Sequence, residues 1–274
     1  TRCKRWCSYL LLCFSALLLS ITSNAQCTTP EGQIDIDGNP CDWCCNIITS
    51  NPYFVHVEDA WDGCTLDWYE GLDDQFTKGS TDANFKAWSW SEVKNKNDIV
   101  NGAAVLCCDT LFFAGDRLKV EGDAQIGFWF FHNGTSGVMD EGEKFGYFDP
   151  PRIIGDLLIL SDFTGGGKFA NVTVLVITSF DSKGAAVFTP INAPSAVTAE
   201  NNDAMYYPPT EWNYGSEQYP LNAFYEGKIS LDEVEAELVK LGIILEDGSL
   251  CYSGFMLETR SSQSITASLD DKVH

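Results

Sequence analysis

The sequence predicts a mainly β chain: a jelly-roll-like β-sandwich with one short helix near residues 230–242, preceded by a signal-peptide helix. Three observations predict it. Short apolar segments recur along the chain, many with strand periodicity. Gly, Asn and Asp punctuate them at turns. No alternating strand–helix–strand pattern is present, which sets aside a parallel α/β architecture.

Taken in order, residues 1–25 read as a cleavable signal peptide. Arg2, Lys4 and Arg5 form a basic start, Tyr9 to Ile21 is apolar apart from serines, and Ser23-Asn24-Ala25 supplies small residues for cleavage. The apolar run is short and Ser-rich against the ~20 residues of a membrane span. Residues 26–70 form a Cys-rich, turn-rich segment, in which Ile34-Asp35-Ile36-Asp37-Gly38 alternates like a short strand ending in an Asp-Gly turn. Residues 71–274 carry the sandwich, expected to form one domain with 26–70.

Strands are expected at Ala103–Leu106 and Leu111–Ala114, separated by Cys107-Cys108-Asp109-Thr110, and at the aromatic segment Ala124–His132. Others are Leu157–Leu160, the β-branched Val172–Ile177, Ala223–Ile229, Gly254–Glu258 and Ser264–Leu269. Trp88 and Trp90 share one face of an alternating segment, and Trp129 lies in a continuous apolar one, so all three read as core. One helix is written plainly. Ser230 and Glu233 form a capping box, and Leu231, Val234, Leu238, Val239 and Leu241 recur at helical spacing until Gly242. The end at Leu269–His274 lacks a natural-looking tail and reads as the front of a longer protein.

Charge narrows the partners. The chain has 17 basic and 39 acidic residues, a net of −22. Loss of Arg2, Lys4 and Arg5 with the signal leaves 14 basic residues and a net of −25. Such a surface repels phosphate backbones and anionic lipid, which excludes nucleic acid as a main partner. No apolar stretch after residue 25 is long enough to span a membrane. The expected location is secreted or cell-surface.

Eight cysteines remain after cleavage: Cys27, Cys41, Cys44, Cys45, Cys64, Cys107, Cys108 and Cys251. An even number in an exported chain reads as disulfides, with 105 pairings open. Cys41-x2-Cys44-Cys45 has a zinc-like spacing, but no histidine accompanies it.

Several phrases occur together. They are Asp73-Asp74-Gln75-Phe76-Thr77-Lys78-Gly79-Ser80, Trp88-Ser89-Trp90, Asn97-Asp98-Ile99 and Phe112-Phe113-Ala114-Gly115-Asp116-Arg117. Asp123 to Phe130, Gly155 to Phe163, Glu226 to Leu231 and Glu258 to Ser264 follow. Their order resembles the N-terminal β-sandwich domain of large bacterial secreted or cell-surface proteins of adhesin-like, pilin-repeat-containing type. The resemblance spans residues 70–273 and implies a surface location more than an activity. It brings no catalytic residues with it. The extra cysteines and the lack of a repeat region depart from the pattern.

Two constellations carry chemistry. Asp116, Glu121 and Asp123 lie within eight residues on a Gly-bearing turn and could offer hard oxygen ligands to Ca2+. Asp73 and Asp74 are a second acidic pair. The other is the aromatic loop 201–220, where Tyr206, Tyr207, Trp212 and Tyr214 lie among polar residues, a composition suited to stacking on a sugar ring. Each has a plainer counterpart: an Asp/Gly hairpin turn with a salt bridge to Arg117, and a loop pinned to the sandwich by its own aromatics. No Gly-x-Ser-x-Gly, His-Glu-x-x-His or phosphate loop appears. The expectation is a non-catalytic domain binding an extracellular glycan or protein partner. The alternatives are a secreted glycan-active hydrolase or lyase, and a structural domain that positions downstream repeats.

Overall fold

The computed structural model describes residues 34–44, 50–58, 73–91, 93–94, 96–107, 109–122, 124–140, 143–164, 169–191, 197–209, 212, 214, 218–243, 252–260 and 267–273. The signal-peptide residues 1–25 lie outside them. Among the described residues, no helix is long and apolar enough to cross a membrane.

The chain is mainly β, as its sequence predicts. Two antiparallel sheets carry the fold. The smaller contains β1 (Phe54–Glu58), β4 (Asn101–Cys107), β5 (Thr110–Asp116), β13 (Phe224–Ser230) and β12 (Val197–Asn201), in the order β1-β4-β5-β13-β12. The larger runs β11 (Ala186–Pro190), β10 (Phe169–Phe180), β9 (Leu157–Thr164), β6 (Ala124–Phe131), β14 (Gly254–Arg260), β15 (Leu269–Val273), β2 (Asp73–Phe76) and β3 (Trp88–Ser91). A small ribbon pairs β7 (Ser136–Val138) with β8 (Tyr147–Asp149).

Period-two alternation sends one set of side chains between the sheets. Phe113 and Tyr225 of the smaller sheet pack there with Phe128, Phe130, Ile159, Val176 and Leu257 of the larger. Gly102 and Gly115 are cross-strand partners, and a Cβ at either would collide with the Leu257 side chain opposite. Their missing side chains let the sheets approach closely. Helix α1 (Leu231–Lys240) follows β13 directly, capped by the Ser230 hydroxyl accepting from Glu233 N at 3.4 Å. It buries Leu231, Val234 and Leu238 of the predicted apolar stripe in the same core, while Val239 and Leu241 are exposed.

The outer faces are apolar too. Trp129, Phe131, Leu158, Leu160, Ile177 and Met256 line the back of the larger sheet, flanked by Phe188 of β11 and covered by Phe85 and Phe148. The back of the smaller sheet carries Ala103, Val105, Phe112 and Phe224, covered by Ile34, Trp43, Trp212, Tyr214 and Tyr219. Arg260 ties one cover down. Its Nη1 ion-pairs with Asp82 Oδ2, while its Nη2 donates to Asp82 Oδ1 at 2.6 Å and to Glu258 Oε1. All three side chains are fully buried. Arg152 lies 3.9 Å over the Phe85 ring and donates to the Asp82 and Ala83 carbonyls, closing the same cover.

Two expected strands differ. Ile34–Gly38 is a series of bends, because the Asp37 and Gly38 amides donate to the Glu226 carboxylate instead of to a neighbouring strand. In place of Ser264–Leu269, of which 264–266 lie outside the described residues, the strand is β15, beginning at Leu269. Its charged residues are accommodated by burial against partners: Asp271 accepts from Ile99 N, and Lys272 Nζ lies 3.9 Å over the Trp88 ring. Among the described residues no disulfide is formed. Cys41 is exposed and Cys107 buried, while Cys27, Cys45, Cys64, Cys108, Cys251 and the side chain of Cys44 lie outside the described part.

Replacing Arg260 by Met leaves two buried carboxylates without their cation. We expect a loss of about 3–5 kcal/mol in denaturant unfolding. A loss under about 1 kcal/mol would show that the cover is held by its aromatics alone.

Candidate functional site

The outer face of the smaller sheet gathers residues from both sequence candidates. Cross-strand register places His56 of β1, Asn101 and Ala103 of β4, Ala114 and Asp116 of β5, and Phe224 and Glu226 of β13 on this face. Two segments close over it: residues 34–44, ending in a 3-10 helix at Pro40–Cys44, and the aromatic loop before β13.

Asp116 is the hub. Its Oδ1 accepts from the Val100 and Asn101 amides at 3.2 and 2.8 Å. Its Oδ2 accepts from Asn101 Nδ2 at 2.7 Å and from the Tyr219 hydroxyl at 2.6 Å. Burial pushes the carboxyl up to about 7 in spite of these four donors. From Asn101 the chain of polar contacts reaches His56, whose Nε2 lies 3.3 Å from Asn101 Oδ1. The His56 ring stacks on Trp212, with centroids 5.0 Å apart and planes 11° from parallel.

Glu226 is the second anchor. Its Oε1 accepts from Gly38 N at 2.7 Å and Asp37 N at 3.1 Å, and its Oε2 accepts from Trp43 Nε1 at 2.8 Å. Burial raises it to about 7 as well, against the same three donors. Gly38 adopts a φ of +80°, and a Cβ there would meet the Asn201 carbonyl, so only glycine lets the segment lie this close to β12. One carboxylate thus fastens residues 37–43 to β13.

The aromatic loop divides by depth. Trp212 and Tyr214 are 6% and 8% exposed, packed on the sheet, and the Tyr214 hydroxyl donates to the Arg117 and Leu118 carbonyls. Tyr206 pairs with Tyr219 through a β-bridge, the Tyr219 amide donating to the Tyr206 carbonyl at 2.8 Å. Tyr207 is 64% exposed and Met205 63%, and Leu221 is half exposed beyond Pro220. Asn202 fixes this shape: its Nδ2 donates to the Ala204 and Pro220 carbonyls and its Oδ1 accepts from Phe224 N. Thus Trp212 and Tyr214 hold the loop, while Tyr207 faces water.

Of the calcium candidates Asp116, Glu121 and Asp123, the structure describes the first two. Asp116 is buried with both oxygens occupied, Glu121 is exposed, and Asp123 lies outside the described residues. Among the described residues no group of three or more His, Cys, Asp or Glu side chains could hold a metal ion. Asp73 and Asp74 lie on β2. Arg117 donates from its Nη2 to the Asn222 carbonyl at 3.3 Å. The candidate face contains three polar residues that the sequence candidates omit: His56, Asn101 and Glu226. Glu226 had a readable signal, since a carboxylate that shares a strand face with the apolar Phe224 is drawn toward burial and must then find donors. His56 and Asn101 had none, because only the register brings them together.

Comparison with known proteins gives no match. No family model, no curated protein and no solved structure matches the chain. The resemblance to bacterial surface proteins therefore rests on the sequence phrases, and the site is interpreted from its own chemistry.

Folding moves Asp116 from 3.8 to about 7, Glu226 from 4.5 to about 7 and Asp156 from 3.8 to about 6, all raised chiefly by burial. The native state therefore retains protons that the unfolded chain releases between roughly pH 4 and 7. Stability from these groups is fully present below about pH 4 and is lost as pH rises through about 7. We expect a higher melting temperature at about pH 5 than at about pH 8, and a smaller difference in Glu226→Gln. A melting temperature that climbs steadily toward pH 8 would contradict this ordering.

Proposed function

We propose that this chain is an exported or cell-surface domain that recognises an extracellular glycan without turning it over. The observation that carries the reading is the contrast within one loop. Tyr207 and Met205 stand in solvent on a segment whose other side is locked by buried Trp212, Tyr214 and Tyr219. A ring presented from a fixed backbone loses little freedom on binding, which is what a stacking platform for a sugar requires. The signal-like N-terminus and the acidic composition support an extracellular setting.

A hydrolase on the same scaffold would need two carboxylates facing one cleft. Asp116 and Glu226 share a face and both titrate near neutrality, which favours that reading. Against it, each is spent on internal donors beneath the cover segments. The binding reading uses the exposed side of the same structure and needs no opening.

The test is affinity electrophoresis of the mature chain through gels holding neutral polysaccharides, with reducing ends measured in parallel. We expect retardation without release of reducing ends. Tyr207→Ala should weaken it about tenfold, or ~1.4 kcal/mol. The melting temperature should change little, because the ring is exposed. Release of reducing ends that Asp116→Asn or Glu226→Gln abolishes, in a variant that still folds, would establish the hydrolase instead.

A further inference from the structure

Asn-Gly occurs twice in the chain, at Asn101-Gly102 and Asn133-Gly134. The dipeptide carries a chemistry of its own. The backbone nitrogen that follows an asparagine can attack the side-chain carboxamide, and a glycine puts no side chain in its way. The fold treats the two copies in opposite ways.

Asn101 is fully buried in β4, and its amide and its Nδ2 both donate to Asp116. Gly102 is paired on both sides, with Val57 of β1 and with Gly115 of β5. Attack there would break the ladder and strip donors from a buried carboxylate.

Asn133 instead is exposed in the turn between β6 and β7, and Gly134 has a φ of +65°. Neither the Asn133 carboxamide nor the Gly134 amide makes a hydrogen bond to another described residue. The turn is held from beside it. Ser253 N donates to the Phe131 carbonyl at 2.8 Å, and Ser253 Oγ donates to the His132 carbonyl at 2.7 Å. A Cβ on Gly254 would meet Gly134 Cα at 3.0 Å, so the two backbones lie in contact.

We propose that Asn133 is a site of spontaneous modification, deamidation through a succinimide, while the fold keeps Asn101 intact. The Gly134 nitrogen bonds to Asn133 Cγ and gives its proton to solvent base, and the Cγ–Nδ2 bond breaks to release ammonia. One water then opens the five-membered imide. Opening at Cγ leaves aspartate; opening at the backbone carbonyl leaves isoaspartate, whose main chain runs through the former side chain. No oxidant, reductant or enzyme takes part. Isoaspartate adds one atom to the main chain of a turn clasped by Ser253 and Gly254. That turn leads into the β7–β8 ribbon, whose Phe148 covers the larger sheet. The modification therefore loosens this cover.

The experiment is incubation of the mature chain in mildly alkaline buffer, folded and in denaturant. Both Asn-Gly peptides are followed by mass, with aspartate and isoaspartate separated chromatographically. We expect Asn133 of the folded chain to convert at least about tenfold faster than Asn101, and the two to convert at similar rates in denaturant. Asn133→Gln should abolish conversion at that position and leave Asn101 as it was. The isoaspartate-bearing fraction should melt below Asn133→Asp, which has the same charge on a main chain of ordinary length. Equal rates at the two asparagines of the folded chain overturn the proposal. So does an Asn133 that stays intact in the folded chain while it deamidates in denaturant. An isoaspartate fraction that melts together with Asn133→Asp overturns the effect on the cover.

Discussion

Both sheets of this sandwich are apolar on both faces, and the rest of the structure follows from that. A sheet with one wet face needs only a partner sheet, but here Trp129, Phe131 and Leu158 on one back and Phe112 and Phe224 on the other must also be hidden. Apart from the short β7–β8 ribbon that carries Phe148, the covers are irregular segments, which lack the ladder bonds of a strand. They are fastened instead by buried charged groups. Asp82, Glu258 and Arg260 hold residues 82–85 over the larger sheet, and Glu226 and Asp116 hold residues 37–43 and the aromatic loop over the smaller one.

This division of labour explains why the acidic residues fall into two populations. On the surface they keep a chain with net charge −22 solvated. In the interior each carboxylate is costly to desolvate, and it persists because several donors converge on it. Asp116 takes four donors and Glu226 three, most of them from backbone amides and ring groups of the covers and their flanks. A carboxylate suits this task because it accepts from several directions at once, which an apolar contact cannot do.

Much of the fold was legible because it follows local rules. The capping box at Ser230, the apolar strands of the core and the turn between β4 and β5 are each written in a few consecutive residues. What escaped depends on residues far apart in sequence. Ile34–Gly38 alternates like a strand, yet its Asp35 amide goes to Asp42 and its Asp37 and Gly38 amides go to Glu226, some 190 residues away. β15 carries Asp270, Asp271 and Lys272, which reads as solvated surface until Ile99 N and the Trp88 ring appear as their neighbours. Asp116 was visible as a carboxylate with chemistry to perform, but it ends β5 and its partners come from β4 and from Tyr219, so its role as an acceptor hub could not be read from the residues beside it.

The same reasoning separates a latch from a reactive group at the smaller sheet's back. A general acid or nucleophile must present an oxygen toward a space that substrate can enter. Every carboxylate oxygen of Asp116 and Glu226 instead points at a donor of the fold, and withdrawing one to reach substrate would leave a buried amide, an indole or a phenol without its acceptor. The exposed rim carries no such obligation. Tyr207 and Met205 contribute little to the core and can be spent on a ligand, while the buried half of their loop keeps them in place. Rigidity on the inner side and freedom on the outer side are therefore two consequences of one set of anchors, and the proposed recognition draws on the rim, not on the space beneath the covers.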